Sequence, residues 1–268
     1  MINVSIVLFQ TEVSEVNRLI NLLLPNTLVN KIFIIDNSPT PISDIQAAPK
    51  LTIINRPDNP GYGKGHNLAM RYSLESEDVK YHLVINADID LEICVIDELY
   101  DFMERNISIA QAMPKVLNPD GTNQNLCKLI PTPFDLLFKR FFPFFGKSPR
   151  FILDVYDLNE VVFAPYLSGC FMFLRVEHLR KVGLFDERFF MYPEDIDLTR
   201  RLAERYRTVL YPFVSVVHQH GAASHRSLRM FAIHFLNLVK YYNKWGWFRD
   251  KSRRTINYKV MKELEEMQ

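Results

Sequence analysis

Four short apolar runs, residues 2–9, 31–36, 51–54 and 81–86, alternate with polar or helix-patterned stretches, and this alternation constrains the fold most strongly. The first, Ile2-Asn3-Val4-Ser5-Ile6-Val7-Leu8-Phe9, is β-branched and nearly all apolar, as expected of a strand buried on both faces. Behind it, Val16, Leu19, Ile20 and Leu23 recur at helical spacing, with Thr11 or Ser14 available as a cap and Pro25 as a stop. Strand and helix alternating through short connections predict an α/β fold with a mostly parallel, Rossmann-like sheet flanked by helices. Ligands of such open sheets bind outside the carboxyl ends of the strands. Asp36, the glycine-rich loop 59–65 with a helix from His66 to Leu74, and the pair Asp88/Asp90 all fall at such ends.

The second half is less regular. Residues 93–105 read as a helix, 171–175 as a strand and 194–206 as a helix opening with acids and closing with bases. Residues 208–217 are strand-like with a proline bend, and 228–243 form an amphipathic helix. Between them, 114–165 mixes Pro, Phe and basic residues and reads as an insertion.

Composition removes some function classes. The 268 residues carry 32 Lys and Arg against 31 Asp and Glu, a net charge of +1, which gives no bulk case for binding nucleic acid. Cys94, Cys127 and Cys170 are scattered, without the spacing of a zinc site or a disulfide framework, and fit a reducing compartment. The start lacks a basic region and a small-residue cleavage site, and no apolar run reaches the roughly 20 residues that span a bilayer, so a soluble or peripheral protein is expected.

Four segments carry chemistry. Asn86-Ala87-Asp88-Ile89-Asp90 ends a strand. If strand geometry continues, Asp88 and Asp90 share a side and offer hard oxygen ligands to Mg²⁺ or Mn²⁺; a solvated acidic loop is the alternative. In Asn59-Pro60-Gly61-Tyr62-Gly63-Lys64-Gly65-His66-Asn67, Gly61, Gly63 and Gly65 let backbone approach a ligand at a helix start, or else make a tight turn. In Tyr192-Pro193-Glu194-Asp195-Ile196-Asp197, Glu194 and Asp195 are either dipole partners or a general base, and Asp197 serves structure. In Val217-His218-Gln219-His220-Gly221, His218 ends a strand as a metal or diphosphate contact, or as a satisfied histidine.

Taken in order, Asp36-Asn37-Ser38, the Asn59–Asn67 loop, Asn86-Ala87-Asp88, Ser168-Gly169-Cys170-Phe171-Met172-Phe173, Gly183-Leu184-Phe185-Asp186-Glu187-Arg188-Phe189-Phe190, Tyr192-Pro193-Glu194-Asp195-Ile196-Asp197-Leu198 and His218 resemble the motifs of family 2 glycosyltransferases. The resemblance spans roughly residues 3–245 and is nearest to bacterial rhamnosyltransferases of O-antigen and capsular polysaccharide assembly. It implies a GT-A fold and an inverting transfer from a nucleoside-diphosphate sugar, with dTDP-rhamnose as the expected donor and UDP-galactose, UDP-galactofuranose or UDP-GlcNAc as alternatives. It assigns Asp36 to the nucleotide base, Asn37 to the donor, and Asn59, Gly61, Gly63, Gly65 and Asn67 to the nucleoside and sugar. Asn86 and Asp88 meet the donor, Asp88, Asp90 and His218 the Mn²⁺ or Mg²⁺, and Asp195 is the base with Glu194 beside it. The implied organisation is a catalytic domain, 1–225, with a nucleotide-binding half (1–112) and an acceptor-binding half (113–225). A helical, aromatic and basic extension, 226–268, follows. The expected acceptor is a saccharide, lipid-linked in many members, at the cytoplasmic face of the cell membrane.

The rivals are a non-catalytic sugar-nucleotide-binding domain, which would have lost its carboxylates, and a sugar nucleotidyltransferase, which places a glycine loop after the first strand. Here that strand leads into Gln10-Thr11-Glu12. Two clusters interleave aromatic and basic residues: Phe134 to Lys147, and Tyr241 to Arg254. Both suit an anionic bilayer interface, or the interface of a homodimer.

Overall fold

A computed structural model of the chain describes residues 1–138, 152–153, 155, 159–219 and 228–267. The first half alternates as expected: β1 (Ile2–Leu8), α1 (Val13–Leu23), β2 (Val29–Asp36), β3 (Leu51–Asn55), α2 (Tyr62–Glu75) and β4 (Tyr81–Ile85). Then come β5 (Ile89–Asp90), α3 (Cys94–Arg105), β6 (Ile109–Leu117), β7 (Cys127–Lys128) and a single helical turn, α4 (Phe134–Phe138). The rest comprises β8 (Val162–Phe163), β9 (Tyr166–Leu167), β10 (Phe171–Arg175), α5 (Val176–Val182), α6 (Glu194–Ala203), β11 (Arg207–His218), α7 (Leu228–Trp245) and α8 (Lys251–Met267).

Nine strands form one central sheet in the order β3-β2-β1-β4-β10-β6-β11-β5, with β8 also on β11. The first four are mutually parallel, and β10 enters antiparallel between β4 and β6. β11 then runs parallel to β6. The carboxyl ends of β1, β2, β4 and β11 therefore share one edge, where Asp36, Asn86 to Asp88 and His218 emerge. A separate two-stranded ribbon pairs β7 with β9.

The strand β6 escapes the sequence reading because Pro114 sits inside it. Proline cannot donate to a ladder and normally demotes a run to an edge or a bulge. The structure accommodates it at an irregularity: Tyr211 pairs with Pro114 and Ser215 with Lys115, so β11 bulges there.

A buried polar chain fastens α2 to the sheet. Asn3 Nδ2 donates to Ser73 Oγ at 3.0 Å, Ser73 Oγ lies 2.7 Å from His82 Nδ1, His82 Nε2 lies 2.8 Å from Ser5 Oγ, and Ser5 Oγ lies 2.7 Å from His66 Nδ1. All five side chains are buried. Burial pushes His82 down to about 3 and His66 well below its ordinary value, with the neighbouring His82 adding to the latter.

These imidazoles stay neutral in the fold but take up protons in the unfolded chain. Their contribution is complete above about pH 6.5, the ordinary histidine value, and is lost as pH falls toward about 3. Each group changes stability by about 1.4 kcal/mol per pH unit within that window. We expect His82→Gln to flatten the dependence of urea-unfolding free energy on pH between 6.5 and 4. An unaltered slope in the variant would remove His82 from the account.

Candidate active site

The loop that ends β2 is organised by Asp36. Its Oδ1 accepts the Ser38 N–H at 2.9 Å and its Oδ2 accepts the Ile42 N–H at 2.7 Å. Asn37 donates from Nδ2 to the Gly61 carbonyl at 3.3 Å, while its Oδ1 is buried with no partner among the described residues.

Helix α2 begins at Tyr62, four residues ahead of the expected His66, so Gly63 and Gly65 belong to its first turn. A Cβ on Gly61, whose φ is +95°, would lie 2.2 Å from the Phe190 carbonyl oxygen. One on Gly63 would lie 2.9 Å from Phe185 Cβ, and one on Gly65 2.9 Å from a Val7 methyl. The glycines let the start of α2 press onto β1 and the 185–190 segment, the tight-turn role that the sequence allowed for them. Asn59 supports the same turn, accepting the Gly61 N–H at 3.3 Å. Asn67 bonds the backbone N–H and carbonyl of Phe185 at 3.0 and 2.9 Å and also reaches Glu187.

Beyond β4 the chain turns at once, with the Ile89 N–H returning to the Asn86 carbonyl at 3.3 Å. The strand alternation expected to aim Asp88 and Asp90 together is therefore lost. Asp90 lies on β5, paired through Oδ1 with Arg18 of α1 and through Oδ2 with Gln219 at 2.7 Å. Asp88 instead meets His218, whose Nε2 lies 3.3 Å from Asp88 Oδ1. Among the described residues no group of three or more His, Cys, Asp or Glu clusters as a metal site.

Glu194 and Asp195 open α6, and both are buried. Asp195 accepts the Gly169 N–H at 3.0 Å and the Ile196 N–H at 2.8 Å. Burial raises Asp195, opposed by those two donors. Burial and then the charge of Asp195 raise Glu194 to about 8. Among the described residues Glu194 Oε2 has no hydrogen-bond partner, and Glu194 is the member of the pair that burial and the neighbouring charge raise to about 8. Asp197 turns away, as expected, and accepts from Trp245 at 2.8 Å, Lys244 at 2.6 Å and Arg201 at 2.8 Å.

Tyr62 and Cys170, which sequence reasoning did not select, stand between these groups. The Tyr62 hydroxyl lies 3.0 Å from Asn86 Oδ1 and 2.7 Å from the Gly169 carbonyl. Burial first, and the charges of Asp88 and Asp195 after it, push the Cys170 thiol up to about 12. The two carboxylates are thus close enough to be felt by one side chain. Tyr62 lies within the glycine-rich loop, where its large ring among small residues was the available signal. Nothing in the sequence marks Gln124, whose Oε1 lies 2.9 Å from His218 Nδ1.

No family model matches the sequence. Over 144 residues it is 31% identical to the low-salt glycan biosynthesis hexosyltransferase Agl10 of Haloferax volcanii, covering 53% of this chain and 43% of that protein. Over 239 residues it is 26% identical to the N-acetylglucosaminyl-diphospho-decaprenol L-rhamnosyltransferase of Mycobacterium tuberculosis, covering 81% of this chain and 75% of that one. The chain therefore spans less than half of the Haloferax protein. In structure it is similar to the mannosyltransferase PcManGT of Pyrobaculum calidifontis, solved with GDP-Man and Mn²⁺. The TM-score is 0.57 at 13% identity, over 89% of this chain and 64% of that one. The fold is GT-A, and the chain resembles the rhamnosyltransferases among family 2 glycosyltransferases.

Gly61 can be tested against Gly121, whose φ is +82° but whose missing Cβ would meet nothing within 4 Å. Alanine at either site carries the left-handed backbone cost of about 1–2 kcal/mol. Only Gly61→Ala adds a collision with the Phe190 backbone. We expect Gly61→Ala to lower Tm clearly more than Gly121→Ala. Equal shifts would show that the loop yields without cost.

Proposed function

We propose that this chain is an inverting glycosyltransferase that moves a sugar from a nucleoside-diphosphate donor to a hydroxyl of a saccharide acceptor. The observation that carries the reading is the buried Asp195 at the head of α6, near enough to Asp88 that Cys170 feels both charges. A GT-A fold and two glycosyltransferase relatives support it. Rhamnose from dTDP-rhamnose is the favoured donor, and a lipid-linked saccharide the favoured acceptor, on likeness to the mycobacterial relative. UDP-galactose, UDP-galactofuranose and UDP-GlcNAc are the alternatives.

In this mechanism Asp195 removes the acceptor hydroxyl proton as that oxygen attacks the anomeric carbon. The bond to the diphosphate breaks in the same displacement, which inverts the centre and needs no covalent intermediate. The neutral Glu194 leaves a single charge to serve as base. Asp36 would meet the nucleotide base, Asn37 and Asn86 the donor, and the Asn59–Asn67 segment would shape the pocket through the seating of α2.

A divalent cation fits the residues present. Gln124 Nε2 donates to the His218 carbonyl at 2.8 Å and lies 3.4 Å from the Leu117 carbonyl. That fixes its Oε1 toward His218 Nδ1, which must therefore carry a proton. With Nδ1 turned to Gln124, His218 Nε2 faces the Asp88 carboxylate at 3.3 Å, an arrangement that calls for a proton or a cation between them. Asp88 and His218 would hold Mn²⁺ or Mg²⁺, with donor phosphates completing the shell and their leaving charge neutralised. Asp90 would join only by releasing Arg18 and Gln219.

Asp195→Asn should lower transfer by about 10²–10⁴-fold while nucleotide affinity by calorimetry is kept. Glu194→Gln should cost far less, because that side chain is already neutral near pH 7. Asp88→Asn should weaken donor binding in a Mn²⁺-dependent way. The opposite ranking of Asp195→Asn and Glu194→Gln would make Glu194 the base.

Peripheral membrane contact belongs to the same proposal, on a narrower surface than the sequence suggested. No helix among the described residues is long and apolar enough to cross a membrane. Of the second aromatic and basic cluster, Tyr241 and Tyr242 are core, Lys244 pairs with Asp186 and Asp197, Trp245 lies 3.8 Å under the Arg200 guanidinium, and Arg253 is buried beside Asp250. Those residues cannot face lipid. Lys139, Arg140, Phe141, Phe142, Phe144, Phe145 and Lys147 of the first cluster lie outside the described residues, as does His220.

What remains exposed is Phe248 (79%) and Tyr258 (69%), with Arg249, Lys251, Arg254 and Lys259 around them. Near an anionic surface each such cation contributes about 1 kcal/mol. We expect salt-sensitive co-sedimentation with anionic vesicles, weakened at least several-fold by Phe248→Ala combined with Arg254→Ser. If no vesicle sediments the chain and its mass rises with concentration, the face is an interface between two copies instead.

A further inference from the structure

After Leu117 the chain makes a tight hairpin. The Gly121 N–H reaches the Asn118 carbonyl at 2.9 Å, the Asn118 N–H reaches Thr122 at 2.7 Å, and Leu117 bridges Asn123 in antiparallel fashion. The Gln124 N–H then donates to the Val116 carbonyl at 3.0 Å, which sets this residue on the rail of β6 beside the end of β11. No part of the sequence suggests a role for a lone glutamine on a hairpin. The structure gives both ends of its amide to one residue: the nitrogen to the His218 carbonyl at 2.8 Å, the oxygen to the His218 ring at 2.9 Å.

We infer that Gln124 is a positioning residue for the cation site, locking His218 in the tautomer whose Nε2 lone pair points at Asp88. The inference rests on the proposal above that a divalent cation sits between Asp88 and His218, and adds the element that prepares the histidine for it. A histidine needs a defined partner on its second ring nitrogen to keep one tautomer and one ring plane, and loss of such partners typically weakens metal binding 10–100-fold. The amide makes a stronger orienter than a carbonyl alone. Its nitrogen is anchored on the main chain of the same residue, so ring and backbone of His218 are held as one body.

The obvious variant, Gln124→Leu, removes both contacts. Gln124→Glu keeps an oxygen to accept from Nδ1–H while losing the donor to the His218 carbonyl. The experiment measures Mn²⁺ binding to the full chain by isothermal titration calorimetry, with Mn²⁺ as the only ligand. In parallel, long-range ¹H–¹⁵N spectra of the metal-free protein, assigned with His218→Ala, report the His218 tautomer. Far-UV circular dichroism confirms that each variant is folded. We expect an Nδ1–H signal in the wild type, a mixed or Nε2–H signal in Gln124→Leu, and Mn²⁺ affinity about 10–100-fold weaker there. Gln124→Glu should retain the Nδ1–H form and bind within a few-fold of wild type.

The two readings fail differently. If His218→Ala and Asp88→Asn leave Mn²⁺ affinity unchanged, the cation proposal falls. If those variants lose affinity but Gln124→Leu keeps both affinity and the Nδ1–H signal, Gln124 has only a structural role and the inference here is overturned.

Discussion

A helix whose charges are buried must have every charge answered, and α6 is such a helix. Glu194, Asp195, Asp197, Thr199 and Arg200 are all buried along ten residues. Arg200 pairs with Asp250 at 2.6 Å, both nearly inaccessible, and stacks on Trp245. Asp197 takes Lys244, Trp245 and Arg201, and Arg201 goes on to the carbonyls of Val182 and Leu184. Breaking one partner of such a pair typically costs about 3–5 kcal/mol, because the other charge is left stranded. The helix is therefore fixed by directional bonds to α7, to the α7–α8 connection and to the loop after α5. Leu198 and Leu202 add apolar contact with the sheet side. That fixation holds its first turn, where Asp195 accepts the N–H groups of Gly169 and Ile196.

The same economy explains the opposite wall. The start of α2 is brought so near to Phe190 and Phe185 that only glycine fits, and the Tyr62 N–H is used on the Phe190 carbonyl at 2.9 Å. The segment 185–193 is thereby trapped between α2 on one side and α6 with α7 on the other. Because that segment leads directly into Glu194, the position of the acid pair is set by the packing of α2.

Much of this was legible in the sequence, and the limits have physical causes. The N-terminal strands and helices follow from period and composition, because local pattern and tertiary environment agree there. Asp195 and His218 stand out in the sequence because each sits where a strand or helix boundary meets chemistry-bearing residue types. β6 was hidden because Pro114 is tolerated only by a bulge in a strand nearly a hundred residues away. Asp90 was misread because a turn at residues 86–88 cancels the alternation, and Arg18 lies 72 residues distant. The basic and aromatic tail looked like a surface because composition cannot distinguish a lysine that meets lipid from one that meets Asp197.

The charge arrangement at the edge also has an internal logic. Two buried carboxylates side by side at Glu194 and Asp195 would be costly if both were ionised. Backbone donors serve both: Asp195 accepts the N–H groups of Gly169 and Ile196, and Glu194 accepts from the backbone of its own turn but keeps Oε2 without a partner among the described residues. Asp90 is neutralised by Arg18, so it does not add to the negative field. What remains is Asp195 and Asp88, with the Tyr62 hydroxyl bonded both to Asn86, just ahead of Asp88, and to Gly169, whose N–H Asp195 accepts. Burial first, then Cys170, Glu194, Asp195 and Asp88, raises the Tyr62 hydroxyl well above its ordinary value, so the phenol beside both carboxylates stays neutral.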